Sequence, residues 1–203
     1  MRRSALLACL LIAVAASLGC SSLLTSDAPP EIAYWLEAPE VTSSAPTDGG
    51  PSVTVRFTAA PGLDVDRLLI RGPGATLNSY AGARWADNIP EVLDALIRTV
   101  LEDSGRFSRV SSSASGVRSD WILELELRAF FAVVTAEETP PRIEMEIRGY
   151  LACQGRESPI RIASQASASG NTLTRIAEGF QTAVDISAME LMDQITGRCD
   201  ASH

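Results

Sequence analysis

The sequence predicts an α+β domain, a mostly antiparallel sheet with two amphipathic helices packed on one face. Three observations lead there. Residues 121–133 and 143–153 alternate apolar and charged side chains, the period of strands with one buried and one wet face. Residues 89–101 and 173–196 space their apolar side chains three and four apart, the period of a helix. The strand runs are divided by turn-forming residues, which favours hairpins, and two one-sided helices bury their stripes most simply on one side of the sheet.

Taken in order, Glu31 to Leu36 carries Ile32, Tyr34 and Leu36 at alternate positions and predicts a short strand. Pro39 to Pro51 reads as a polar loop. Val53, Val55 and Phe57 alternate through a second strand. Leu68–Ile70 and Thr76–Tyr80 flank Gly72-Pro73-Gly74, the turn chemistry of a small hairpin. Ile89, Val92, Leu93, Leu96, Ile97, Val100 and Leu101 form the stripe of the first helix. Asp87 or Asn88 can cap it, Pro90 fits its first turn and Gly105 follows its end.

In the central hairpin Trp121, Leu123, Leu125, Leu127, Ala129, Phe131 and Val133 point one way, and Glu124, Glu126 and Arg128 the other. Ile143, Met145, Ile147 and Leu151 answer them against Arg142, Glu144, Glu146 and Arg148. A turn centred on Glu137 sets Arg128 opposite Glu146 and Glu126 opposite Arg148. A shift of two would face Arg128 with Arg148, so charge selects the first register and predicts the pairs Leu127–Ile147 and Trp121–Cys153. Ile160, Ile162 and Ser164 point inward from a further strand over 160–167. The last helix runs from about Leu173 to Thr196 on a stripe of Ile176, Ala177, Phe180, Val184, Ala188, Leu191, Met192 and Ile195, with Gly197 closing it.

Ahead of this domain, Arg2 and Arg3 precede an apolar run from Ala5 to Ala16 and then Ser17-Leu18-Gly19-Cys20. That is the layout of an export signal ending at a lipid-attachment cysteine, and the run is too short to span a bilayer. An ordinary secreted protein whose Cys20 pairs or stays free is the alternative. The expected organisation is a signal peptide over 1–19, an acylated tether over 20–30, a single periplasmic domain over 31–198 and a tail over 199–203. Losing Arg2 and Arg3 takes the formal net charge from −8 to −10, a poor match for nucleic acid.

Every one of the 17 basic residues is arginine, so lysine chemistry is excluded. The one histidine is the terminal His203. With Cys9 in the signal and Cys20 assigned to lipid, Cys153 and Cys199 remain, and an oxidising compartment favours their pairing, helix to sheet. No cofactor and no metal is expected: Asp64 and Asp66 lack further ligands nearby, and Glu124, Glu126, Glu144 and Glu146 share their face with Arg128, Arg142 and Arg148. No nucleophile–base constellation stands out, so the chain is expected not to be an enzyme.

Two features read as binding surface. Arg84-Trp85, just before the first helix, is either an anchor for a partner or lipid headgroup or, with Trp85 as a staple, part of the packing at the start of that helix. Phe130 and Tyr150 stand among the charges of the wet sheet face, a mixture suited to an oligomer interface.

Pro61-Gly62-Leu63-Asp64-x-Asp66-Arg67, then Leu69-Ile70-Arg71, then Tyr80-Ala81-x-x-Arg84-Trp85-Ala86 leading into Ile89-Pro90-x-Val92-Leu93, with Tyr34-Trp35-Leu36 before them, resembles the ABC-type transport auxiliary lipoprotein family, which includes the paraquat-inducible auxiliary lipoprotein. The resemblance implies a palmitate-bearing lipoprotein on the outer membrane, facing the periplasm. It further implies partners in an inner-membrane ABC transporter and its mammalian-cell-entry-type component, a system that moves phospholipid or other hydrophobic molecules between membranes. A non-catalytic docking subunit, as a homo-oligomer, is the role expected. A lipid carrier with its own pocket and an outer-membrane assembly factor are the alternatives.

Overall fold

A computed structural model describes residues 30–42, 49–135 and 140–199. The signal segment, Cys20, the tether up to residue 29, the apex of the central turn at 136–139 and the tail from residue 200 lie outside the described residues. In chain order the elements are β1 (Ile32–Tyr34), β2 (Ser52–Ala59), β3 (Arg67–Arg71), β4 (Leu77–Trp85), α1 (Ile89–Asp103), β5 (Arg109–Ser112), β6 (Trp121–Val133), β7 (Arg142–Cys153), β8 (Arg156–Ser167) and α2 (Leu173–Cys199).

All eight strands join one sheet in the order β1-β4-β3-β6-β2-β5, with β7 also on β6 and β8 on β7. The α+β class is the one expected, and the pairing is mixed. The longest ladders, β6–β7 and β7–β8, are antiparallel with twelve partners each, and β3–β4 is the small hairpin anticipated. The pairings β1–β4, β2–β5, β2–β6 and β3–β6 are parallel, the longest of them seven residues. Alternation alone does not reveal direction, because Val53 and Val55 are buried whichever way a neighbour runs. The strand β5, which sequence patterning did not single out, closes the sheet beyond β2.

β6 organises the sheet because one of its edges serves two neighbours in succession. Trp121 to Leu127 pair with Val53 to Ala59 of β2, and Ala132 and Val133 pair with Ile70 and Arg71 of β3. Between these stretches, opposite β7, the register slips by one at Arg128. Before the slip the predicted pairs stand: Trp121 faces Cys153, Glu126 faces Arg148 and Leu127 faces Ile147. After it Ala129, not Arg128, faces Glu146, and Phe130 faces Met145. An extra residue in a strand inverts the in–out alternation beyond it. Phe130 is thereby turned to the core face and is 2% exposed, a correction to the expectation of a surface residue. Phe131 goes to the other face, where the Arg71 guanidinium lies 4.6 Å from its ring centroid.

Both helices cover the same side, since α1 and α2 together with Met145 and Ile147 of β7 line one crevice. On α1 the residues Ile89, Pro90, Leu93, Ile97, Val100 and Leu101 are buried, each large apolar side chain contributing roughly 1.5–3 kcal/mol. Asn88 holds the N-cap position without a side-chain cap, while its own N–H donates to Asp87 Oδ1 at 2.8 Å. The end is fixed by Ser104, whose hydroxyl donates to the Leu101 carbonyl at 2.7 Å, and by Gly105 at φ +67°. Helix α2 buries Ile176, Phe180, Ala183, Val184, Leu191 and Ile195. It continues through Gly197 to Cys199, one turn beyond the expected stop, because a helical glycine costs only about 1 kcal/mol relative to alanine. Ser164 of β8 points inward as expected and donates to the Ala183 carbonyl or shares a bond with Ser187, at 2.9 and 2.8 Å.

Candidate partner-binding surface

Trp85 ends β4 and belongs to the interior. Its backbone N–H donates to the Asp66 carbonyl at 2.7 Å, and its indole, 1% exposed, meets Phe130 and Phe180 at centroid distances of 5.8 and 5.2 Å. Phe130 and Phe180 lie 4.8 Å apart, so one aromatic cluster joins β4, β6 and α2. Of the two readings of Arg84-Trp85, the packed indole is the one realised, and neither Trp85 nor Phe130 is available to a partner. Arg84 stays on the surface. Its Nη1 is 3.8 Å from Asp66 Oδ2 and donates to the Trp85 carbonyl at 3.2 Å. Arg67 bridges onward, to Asp66 at 3.5 Å and to Glu31 at 2.5 Å, and its pKa is raised by that bond to Glu31. Asp66 thus belongs to an ion-pair network with Arg67, Arg84 and Glu31, and among the described residues no three His, Cys, Asp or Glu side chains converge as metal ligands.

Tyr150 is exposed, as expected, in a shallow groove of about 390 Å³ on the helix-free face of the sheet, lined by Arg56, Thr58, Glu124, Glu126 and Arg148 among others. Its hydroxyl donates to Glu124 Oε2 at 2.5 Å, which raises the phenol pKa, and Arg56 pairs with the same carboxylate at 3.1 Å. Arg128 pairs with Glu126 at 3.0 Å and Arg148 with Glu146 at 2.6 Å, both two residues along their own strands. The groove floor depends on Gly149, where a Cβ would fall 1.9 Å from the Glu124 carbonyl oxygen. The face therefore presents mixed charges already engaged with one another in exposed pairs, each worth little in isolation. Cys153 is disulfide-bonded. The side chain of Cys199 lies outside the described residues.

Sequence reasoning passed over one surface residue, Trp35, which is 74% exposed. The chain on both sides of it is fixed. Ala86 N–H donates to the Tyr34 carbonyl at 2.9 Å, Tyr34 lies in ladder with Trp85, and Leu36 is 1% exposed. The Gln181 side-chain amide then accepts from Glu37 N–H at 2.8 Å and donates to Glu37 C=O at 2.9 Å, standing in for a neighbouring strand. Tyr34, Trp35 and Leu36 alternate in burial, so the outward position of Trp35 was readable. Its significance was not, because an aromatic residue in a strand is more often core.

The apolar crevice between the helices, lined by Leu93, Ile97, Val100, Met145, Val184 and Leu191 among others, has about 10 Å³ of accessible space. That is room for about one water and not for an acyl chain.

The chain has known relatives in fold and family. A Xanthomonas campestris protein of solved structure, XCC0632 of the DUF330 family, is 23% identical and superposes with a TM-score of 0.67, covering 85% of this chain and all of that one. A second solved structure, described only as an uncharacterized protein, has a TM-score of 0.59 at 11% identity over 81% of this chain and 99% of its own. At these identities the likeness is one of fold. No curated protein matches. Residues 34–188 match the family described as ABC-type transport auxiliary lipoprotein component, a span from Tyr34 in β1 to Ala188 in α2 that takes in the sheet and most of both helices. The chain belongs to the ABC-type transport auxiliary lipoprotein family.

Proposed function

We propose that this protein is a non-catalytic docking subunit, moored through acyl chains on Cys20 to the periplasmic side of the outer membrane. In that position it serves an ABC transporter with a mammalian-cell-entry-type component in moving lipid or another hydrophobic molecule between membranes. The observation that carries the reading is the family match over residues 34–188, downstream of a signal-like segment that ends at Cys20. Fatty acyl chains give lasting attachment where a single weak signal would not. No helix among the described residues is long and apolar enough to cross a membrane. The filled crevice beneath the helices favours docking over a carrier with its own lipid pocket. Exposed polar and charged groups, Arg84 and Tyr150 among them, supply a polar surface for partner contact. The test is purification of the acylated protein from its own membranes with identification of proteins and lipids. Transporter subunits should accompany it, and the intact mass should show acylation at Cys20. A monomer that captures no envelope partner, or one that retains lipid one-to-one, overturns the docking role.

A further inference from the structure

We propose that Trp35 is a second, non-covalent point of contact between the domain and the lipid surface. The proposal rests on the Cys20 anchor reading above. Of the three tryptophans, Trp85 and Trp121 are 1% and 7% exposed, whereas Trp35 is 74% exposed. An indole pairs an apolar body with one N–H donor, and such side chains settle in the headgroup region of a bilayer.

The position along the chain selects a membrane as the occupant. Trp35 follows Cys20 by 15 residues, so it lies within roughly 50 Å of the acylated cysteine even along a fully extended path. Confinement of that kind makes a weak contact effective, because the tether replaces free diffusion. The ordering cost is also low. Tyr34, Leu36 and Glu37 are already held by β4, the core and Gln181, so an inserted Trp35 loses little beyond its own rotamer freedom. Several charged groups of the same region are paired, Glu31 with Arg67, Asp66 with Arg67 and Arg84, and Arg175 with Glu178.

The experiment uses the acylated mature protein in vesicles of phosphatidylethanolamine and phosphatidylglycerol, part of the lipid carrying bromine on its acyl chains. Flotation reports the anchor, and tryptophan fluorescence reports Trp35, since Trp85 and Trp121 are already shielded. The expected result is that floating protein shows a blue-shifted emission component quenched by bromolipid and protected from aqueous iodide. Trp35→Phe should lose that component and float equally well. Floating protein whose Trp35 emission is quenched by iodide and untouched by bromolipid overturns the proposal. So does shielding that develops only when transporter subunits are added, which would assign Trp35 to a protein interface. Protein that fails to float overturns the anchor reading and this contact with it.

Discussion

Trp85 and Phe180 meet edge to face, their ring centroids 5.2 Å apart at an interplanar angle of 80°. The contact ties the end of β4 to the middle of α2 across Phe130. Trp85→Ala is expected to cost about 3–5 kcal/mol in denaturant unfolding, the range for emptying a large aromatic site in a core. Arg84→Ala beside it should stay within about 0.5 kcal/mol, as exposed positions do.

Gly149 has a steric duty. A methyl group there would lie 1.9 Å from the Glu124 carbonyl oxygen and 3.0 Å from Leu125 Cα, both backbone atoms. Gly149→Ala must therefore push β6 and β7 apart or bend one of them. We expect a loss at or above the upper end of the roughly 1–3 kcal/mol typical of overpacking, read as a fall in thermal midpoint with loss of the Tyr150–Glu124 bond.

The Ser52 N–H and hydroxyl both donate to Asp120 Oδ2, at 2.8 and 2.7 Å, and hold its carboxyl below the usual range. A depressed carboxylate adds stability at pH values above its unfolded pKa, and that stability is lost as pH falls through the lower folded value. Wild type should thus exceed Asp120→Asn by a constant margin at neutral pH. The margin should shrink only below about pH 4, as followed by urea unfolding across an acid series. A margin unchanged to strongly acid pH would show that the Ser52 contacts do not act through the charge.

Gln181 pins Glu37 through both its N–H and its carbonyl. Gln181→Leu removes both of these bonds and a third, from Gln181 Nε2 to Asp185 Oδ1 at 2.7 Å on the surface of α2. Amide exchange at Glu37 should rise, with a local loss of about 1–3 kcal/mol, while protection in β6 and β7 stays as it was.

Cys153 is bonded to another cysteine, and the others in the chain are Cys9 and Cys20, which the proposed export and lipidation remove or occupy, and Cys199. We expect Cys199, leaving Cys20 to lipid. Non-reducing peptide mass spectrometry should recover a Cys153–Cys199 cross-link, and reduction should lower stability by roughly 2–4 kcal/mol.

Much of this was legible in the residues. The helical stripes, the β3–β4 turn and the register Leu127–Ile147 follow from periodicity and charge, which act locally. The family resemblance rested on turn and helix-start residues from Pro61 to Leu93, and the matching region contains them. What escaped was non-local. The Arg128 bulge lies where β6 exchanges β2 for β3, a junction of segments more than 60 residues apart, and no pattern within β6 announces it. Phe130 was assigned to the wrong face for that reason alone. The parallel pairings were hidden similarly, since side-chain alternation is the same for either strand direction. The outward position of Trp35 follows from local alternation, whereas the contacts that pin Tyr34 and Glu37 on either side of it come from β4 and Gln181, distant in the sequence.

The shared edge of β6 also bears on how the chain can be made. β2 and β3 are complete by residue 71, yet each lacks its β6 neighbour until residues 121–133 exist. A polypeptide delivered amino end first therefore carries two half-paired strands while some fifty further residues arrive. Only β3–β4 and then β2–β5 can occupy them meanwhile. Completion of the sheet therefore waits on one late segment, and a ribosomal pause before Val133 would leave two hydrogen-bonding rims without their β6 partner.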